Sequence, residues 1–538
     1  MTSTPAHSTL PQLVYQHARQ TPGRPAIHSI GQGGATWAEV WERSCRWAGW
    51  LREAGVQPGD RVADLIHQSL EANYLWVGCG VAQAVEVSIN HHFKGDWLHH
   101  ALAISGARVV VTSQRYLEPL LEVIEGTGID TVLVFDGLPV EPAAMPAGVR
   151  LISGSPLEQA PLHMDHAPAG APHDLAAVLY TSGTTGASKA VQVPWFMLQQ
   201  LCRTYTSYLK TAAPVYYFPY ATYHLSGRVA LYCAAISGGR AVVREVFSTS
   251  SFWDDVREHG CNWTILFSAP ARFLANAPAR DDDRDHPLEL VVVNPLLPET
   301  DALRERFGFR VFTTYGMTEV GIVMRSSLED AVSAKAGCCG KPEEGIEARV
   351  VDEHDYTVPP GQAGELVVRS RDPWRLTTGY QGAPEATAKV MRNGWFHTGD
   401  VFRVGEDGNF YYLDRSKDMI RRRGENISSV ELESAVRTHP EVAEAAAVGI
   451  KSPLGDEDVL VAVVTRSGQP IDPVALRDHL QTRVPRYAVP RFVRTMRALP
   501  YTQSTERVQR HLIREEGVTA DTWDGQAVVL TSRNSRSN

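Results

Sequence analysis

Hydrophobic and polar positions along this chain follow two periods in turn. Residues 37–52 place Trp37, Val40, Trp41, Cys45, Ala48 and Leu51 at helical spacing, which predicts one buried, tryptophan-rich helix face. Apolar runs at 61–66 (RVADLI), 85–89, 108–113 (RVVVTS) and 131–135 (TVLVF), with a helical stretch near 70–84, predict strands alternating with helices. That alternation predicts a parallel sheet covered on both faces. A segment rich in Pro, Ala, Gly and His at 154–173 breaks the pattern and reads as a surface connection between two subdomains. A second set of runs then repeats the arrangement: DLAAVLY (174–180), RAVVREV (240–246), NWTILF (262–267), LELVVV (288–293) and FRVFTTY (309–315).

From about residue 346 the texture changes to short alternating pieces separated by turn residues, which predicts a mainly β subdomain reaching residue 414. The stretch from Arg415 to about 525 carries Ser428-x-x-Glu431 as a capping box, apolar runs at 444–450 and 459–465, a helix near 473–484 and a charged helix near 505–516. It has the size of a separate domain. Residues 526–538 lack periodicity and read as a tail. The expected fold class is therefore α/β: a large N-terminal domain (1–414) of two α/β subdomains plus a β subdomain, followed by a small α+β C-terminal domain (415–525).

Composition narrows the classes of function. The 538 residues, 43% hydrophobic and 21% charged, are too many for one core. With 52 Lys and Arg against 61 Asp and Glu, the net charge of −9 does not recommend nucleic acid as a partner. Seven cysteines without C-x-x-C spacing argue against a disulfide framework or a structural zinc site, and point to reduced thiols in a cytoplasm. The start MTSTPAHSTLPQL has no basic or apolar leader region, and no apolar run reaches the roughly 20 residues that span a bilayer, so neither export nor membrane insertion is expected.

The chemistry concentrates in a few segments. Tyr180-Thr-Ser-Gly-Thr-Thr-Gly-Ala-Ser-Lys189 leaves an apolar strand and packs small residues and hydroxyls ahead of a lysine. Glycines let backbone approach an anion, N–H groups and hydroxyls donate, and Lys189 adds positive charge, so this is a phosphate loop. Its spacing differs from G-x-x-x-x-G-K-[ST], which disfavours a Walker-type ATPase. Downstream stand Tyr315-Gly-Met-Thr-Glu319, Gly394-Trp-Phe-His-Thr-Gly-Asp400, Asp414-Arg-Ser-Lys-Asp-Met-Ile420 and Arg423-Gly-Glu-Asn-Ile427.

In this order the segments resemble the adenylate-forming superfamily of acyl-CoA synthetases, adenylation domains and luciferases, over roughly residues 10–520. The stretches RRRGENISSVELE and VTADTWD are most similar to the crotonobetaine/carnitine-CoA ligases. The resemblance implies ATP and Mg²⁺, with coenzyme A as co-substrate. It implies that Thr181, Ser182, Gly183, Thr184, Thr185, Gly186 and Lys189 hold the β- and γ-phosphates, and that Thr314, Tyr315, Gly316 and Met317 border the nucleotide. Thr318 is implied at the α-phosphate and Glu319 on Mg²⁺, a hard cation that shares oxygens with phosphates. Asp400 and Arg415 are implied at the ribose, Tyr220, His224 and Asn294 in the substrate pocket, and Lys417 at the hinge of a C-terminal lid that rotates between two half-reactions. Asn294-Pro295 stands where most relatives carry a Gly-Gly-Ala-Pro-type turn.

One departure bears on catalysis. Where relatives carry a lysine that enters the site during adenylation, this chain reads Thr505-Glu-Arg-Val508 and places Arg507. A planar guanidinium does not replace a point-charge ammonium, and losing one oriented donor costs about 3 kcal/mol, on the order of a hundredfold in rate. Three readings follow: adenylation of a small organic acid and transfer to a thiol, activation of nitrite to diazotise an aromatic amine, and binding of adenylate without catalysis.

Overall fold

The computed structural model describes residues 8–137, 146–153, 160, 166–181, 188–297, 299–335, 337–415, 420–422, 425–427, 429–452, 456–500, 508 and 510–525. The chain forms two compact units, one of Met1–His91, Ala101–Tyr180 and Ala190–Asp414, the other of His92–His100, Thr181–Lys189 and Arg415–Asn538. No described helix is long and apolar enough to cross a membrane.

The first unit is built on three sheets among the described residues. One has the order Arg150–Ser153, Thr131–Val134, Ala107–Thr112, Arg61–Leu65, Val85–Ser88, Leu175–Thr181, Lys189–Pro194, with parallel pairing from Arg150–Ser153 to Leu175–Thr181. The second runs Arg310–Phe312, Leu290–Asn294, Trp263–Phe267, Val215–Phe218, Arg240–Val243, Pro25–Ser29, Gly33–Thr36, parallel except for the last pair. Strands such as Leu290–Asn294 are buried at every position but the last, so their only polar surface is at the ends. Trp37–Glu53 supplies part of the covering helix layer, with Thr36 and Glu39 closing its first turn reciprocally. Its Trp47 and Trp50, with Trp76 of Leu70–Val81, are buried in the main core. The third sheet is antiparallel, in the order Thr314–Met317, Gly321–Arg325, Cys338–Pro342, Phe410–Arg415, Trp395–Val404, Gly364–Ser370, Ile346–Val351.

Three features differ from the pattern-based expectation. The connection near 154–173 does not divide the two parallel sheets, because Leu175–Thr181 returns to the first sheet beside Val85–Ser88, with Glu86 opposite Ala177. The N-terminal hairpin of Pro25–Ser29 and Gly33–Thr36 extends the second sheet. The antiparallel sheet begins at Thr314, well before residue 346. An apolar run states its burial but not which sheet receives it, so crossovers are invisible to periodicity. All seven cysteines are buried and unpaired by disulfides.

In the second unit Val442–Lys451 and Glu457–Thr465 form a long antiparallel pair, extended by Phe492–Thr495 and Trp523–Asp524. Ile420–Arg422 and Glu425–Ile427 make a separate hairpin. Ser428 of the expected capping box lies outside the described residues, ahead of the helix Ser429–Arg437. Glu433 of that helix takes a bidentate pair from Arg510 at 2.8 and 2.7 Å and also accepts from the Ala447 N–H at 2.8 Å. This ties the helix Arg510–Glu516, close in sequence to Arg507, to the domain core. Glu433→Ala removes all three bonds and should destabilise this unit by about 2–3 kcal/mol, below the fully buried case because Arg510 is partly exposed. Urea unfolding should show the lowered midpoint; an unchanged midpoint would mean the pair holds nothing.

Candidate functional site

Three expected site segments meet in the first unit. Asn294 ends its strand with its amide turned onto the next segment: Oδ1 accepts from the Thr314 N–H at 2.8 Å and the Thr313 hydroxyl at 2.9 Å, and Nδ2 donates to Thr314 Oγ1 at 2.8 Å. The Asn294–Pro295 peptide is cis. This bracket fixes the start of Thr314–Met317, which turns through Thr318, Glu319 and Val320 into Gly321–Arg325. The turn is tight enough that a Cβ at Gly316 would sit 2.1 Å from the Gly321 carbonyl oxygen, so glycine is required there.

Two buried carboxylates of this site are each oriented by a phenol. Tyr315 donates its hydroxyl to Asp400 Oδ2 at 2.7 Å, and both residues are buried. Asp400 is held from behind by its own N–H to Thr398 Oγ1 at 3.1 Å, while Thr398 donates to the Leu366 carbonyl at 2.7 Å. Glu319 receives the Tyr380 hydroxyl on Oε1 at 2.9 Å, and its carbonyl accepts from the Thr377 N–H at 2.8 Å. Burial, with the Glu319 charge beside it, pushes the Tyr380 phenol far above the usual tyrosine range, so it remains a donor. The same loop grips the strand Lys189–Pro194: Thr377 donates to the Gln192 carbonyl at 2.7 Å, and Gln192 and Gln381 close two backbone bonds across it.

The remaining expected residues fall in three groups. Thr181 ends one strand and Lys189, half-buried, opens the next; both belong to the second unit. Arg415 ends the strand Phe410–Arg415, and its side chain is not among those described. Ser182, Gly183, Thr184, Thr185, Gly186, Lys417 and Arg507 lie outside the described residues. Among the described residues no group of three His, Cys, Asp or Glu side chains could hold a metal.

The expected substrate-pocket residues follow the strand Val215–Phe218. Tyr220 donates its hydroxyl to the Ile265 carbonyl at 2.8 Å and packs edge-on against Phe267, so its ring face is what it can offer a ligand. His224 caps the four-residue helix Leu225–Arg228. Its ring begins a row: Tyr223 at 4.5 Å, then His91 at 5.2 Å, Tyr116 at 5.3 Å and His67 at 6.1 Å between centroids. Burial pushes the Tyr116 phenol up to about 12 and holds the His67 imidazole below its ordinary value, so both are neutral near pH 7. His67, His91 and Tyr116 follow three different strands of the first sheet, and sequence spacing carries no signal that joins them. Tyr380 and Thr377 were also silent in sequence, as isolated residues of a Thr-Thr-Gly-Tyr turn.

A family model described as AMP-binding enzyme matches residues 14–381, and one described as AMP-binding enzyme C-terminal domain matches residues 431–506. The chain is 30% identical over 489 residues to a crotonobetaine/carnitine–CoA ligase of Salmonella paratyphi A, covering 89% of this chain and 92% of the relative. The equally named protein of Escherichia coli O8 is 30% identical over 474 residues, with 85% and 89% covered. Among solved structures, the amide bond synthetase McbA of Marinactinospora thermotolerans aligns with a TM-score of 0.79 and 25% identity over 95% of this chain and 99% of that one. A double mutant of the Bacillus subtilis o-succinylbenzoate CoA synthetase shares the fold at a TM-score of 0.80 and 23% identity, with 95% and 99% covered.

The Asn294 bracket predicts a measurable cost. Asn294→Ala leaves the Thr314 N–H and two hydroxyls to find new partners, and should destabilise the first unit by about 2–3 kcal/mol. Urea denaturation checks this, and a loss below 0.5 kcal/mol would mean that water replaces the amide (a threshold of about the spread of neutral surface changes).

Proposed function

The chain belongs to the AMP-binding enzyme family, and on that premise we propose that it adenylates a small organic acid with ATP, releases pyrophosphate, and passes the acyl group to the thiol of coenzyme A. The observation that carries this reading is the joined arrangement of Thr314–Glu319 and Asp400, in which two buried carboxylates are oriented by the hydroxyls of Tyr380 and Tyr315. A phenol bonded to one oxygen of a carboxylate fixes the direction of the whole group. Asp400 accepts from the two ribose hydroxyls. Glu319 presents buried oxygen to Mg²⁺, whose preference for oxygen ligands shared with phosphates fits a single carboxylate better than an all-protein cage. When bound, that ion supplies charge stabilisation at the phosphoryl oxygens.

In the first step a carboxylate oxygen of the acid attacks the α-phosphorus, the bond to the β-phosphate oxygen breaks, and an acyl-adenylate forms. The proposed roles are these: Lys189, Thr181 and the loop 182–186 take the departing phosphates, Thr318 serves the α-phosphate, and Arg507 takes the place of the lysine that relatives use during adenylation. In the second step the thiol sulfur attacks the acyl carbon, its proton is lost, and AMP departs. Lys417 is the hinge between the two arrangements, and the loop 421–427 faces the incoming thiol. Tyr220, His224 and Asn294 border the acid. The names of the relatives, crotonobetaine/carnitine–CoA ligase and o-succinylbenzoate CoA synthetase, support a carboxylic acid and coenzyme A.

Exchange of labelled pyrophosphate into ATP, run with short aliphatic acids, crotonobetaine, carnitine, benzoates and nitrite, tests the proposal. At least one carboxylate should drive exchange and yield an acyl-CoA by mass spectrometry; turnover only with nitrite and an arylamine would replace the reading. Glu319→Gln and Asp400→Ala should each lower exchange on the order of a hundredfold. Arg507→Lys should preserve or raise adenylation, and a severe loss would show that the guanidinium itself is required.

A further inference from the structure

The proposed chemistry leaves unused the most deeply buried charges of the first unit. Asp64 of the strand Arg61–Leu65, Glu86 of the adjacent strand Val85–Ser88 and Arg228 at the end of the helix Leu225–Arg228 are each 1% exposed or less. Arg228 Nη2 lies 2.8 Å from Ser88 Oγ, 3.0 Å from Glu86 Oε2 and 3.6 Å from Asp64 Oδ2. Ser88 in turn donates to Asp64 Oδ1 at 3.2 Å, Arg228 Nη1 donates to the Ala72 carbonyl at 3.4 Å, and the guanidinium lies 5.3 Å from the centroid of a Trp76 ring. Two acids face one cation, so a buried net charge is avoided only if the carboxylates share a proton. Burial pushes Asp64 up to about 6 and Glu86 well above the carboxylate range, in the direction that keeps one proton within the pair. Cys79 of Leu70–Val81 and Tyr180 of Leu175–Thr181 also face the pair; burial raises both, so they stay neutral and do not alter the count.

A one-turn helix has no stability of its own and takes its position from what grips it. Here Gln68 Nε2 donates to the carbonyls of both Tyr220 and Gly227, at 3.2 and 3.1 Å, Thr222 donates to the Ile66 carbonyl at 3.3 Å, and Gly227 packs so closely that a Cβ would lie 2.0 Å from the Ala221 oxygen. The His224 carbonyl accepts from the N–H groups of Gly227 and Arg228, both at 3.1 Å. The turn is therefore gripped at its start through the backbone and at its end through the buried guanidinium. An aliphatic side chain at 228 could fill the same space, but only a planar fork of donors fixes direction as well.

We infer that Arg228, clamped by Asp64, Glu86 and Ser88, is a positioning residue that fixes His224 in the acid-binding pocket. The inference rests on the reading of His224 as part of that pocket. The charged set discriminates among variants. Glu86→Gln mimics one protonated acid of the pair and should keep or raise the melting temperature, whereas Asp64→Asn with Glu86→Gln leaves the guanidinium without a counter-ion and should lower it.

The decisive variant is the neutral set Asp64→Asn/Glu86→Gln/Arg228→Met, which removes every charge together and avoids an unpaired one. It should fold, yet exchange amide hydrogens in residues 220–229 at least tenfold faster than the parent, while the rest of the first unit is unchanged. In pyrophosphate exchange with crotonobetaine and with benzoate as the acids, KM for the acid should rise at least tenfold and KM for ATP stay within twofold. Arg228→Lys, which keeps the charge but not the fork, should fall between the two. Exchange within twofold of the parent over 220–229, or equal rises in both KM values, would overturn the inference. His224→Ala separates the two ideas. An unchanged acid KM there, with faster amide exchange in the neutral set, would remove His224 from the pocket and leave the anchoring in place.

Discussion

A parallel sheet covered on both faces has one polar surface, the row of its carboxyl ends, and the placement of chemistry in this protein follows from that constraint. Asn294 is the last residue of its strand, and Thr313–Thr314 lie just past the end of the neighbouring strand Arg310–Phe312. Tyr220, Tyr223 and His224 follow Val215–Phe218, whereas His67, His91 and Tyr116 follow three strands of the other parallel sheet. Apart from the Asp64–Glu86 pair, which Arg228 covers, the strand interiors are mostly apolar and packed, so a polar side chain that is to meet a ligand stands best where the strand stops. The antiparallel sheet contributes by a different route. Its Asp400 sits within the strand Trp395–Val404 rather than past a strand end.

The same molecule treats buried carboxylates in two ways, and the difference separates ligand chemistry from scaffolding. Asp400 and Glu319 each accept the hydroxyl of a phenol, which directs one carboxylate oxygen. Asp64 and Glu86 are given a guanidinium, a serine and a shared proton, an arrangement that consumes the charge inside the fold. The first arrangement sets the direction of two carboxylates that the proposed function assigns to the nucleotide and its metal. The second sets the place of a helical turn. Tyr217 with Asp255 and Arg244 lies between the two, since both a phenol and a guanidinium reach that carboxylate.

Periodicity located several strands of the parallel sheets, because burial on both faces leaves near-continuous apolar runs such as LVVV at 290–293, but it named none at Arg150–Ser153, Lys189–Pro194 or Val215–Phe218 and overran the ends of Arg240–Val243 and Arg310–Phe312. It could not assign Leu175–Thr181 to the first sheet or the hairpin Pro25–Ser29 to the second, since pairing partners are chosen by crossovers and not by composition. The site was legible where chemistry is written locally, as in Tyr315-Gly-Met-Thr-Glu319 and the Gly-Asp pair ending at Asp400. What escaped was the support: Tyr380 lies 61 residues from Glu319, and Gln68 lies 152 residues from Tyr220. Each is a lone polar residue in a turn or at a strand end, and such residues are common enough that position alone singles out none of them.

On the proposed reading of His224 as a wall of the acid pocket, selectivity is a property of tertiary anchoring more than of the residues nearest the acid. The segment 220–228 contains a single helical turn and owes its shape to Gln68, Ile66, Ser88, Asp64 and Glu86, all contributed by residues 64–88. A change at any of these alters where His224 stands without altering the pocket's composition. The close approach of Gly227 to Ala221 adds stiffness, because the turn has no room to relax by rotation about that point. A pocket wall held this way resists small displacements and so can discriminate among acids by shape, which is the requirement when the reacting carboxylate is common to every candidate.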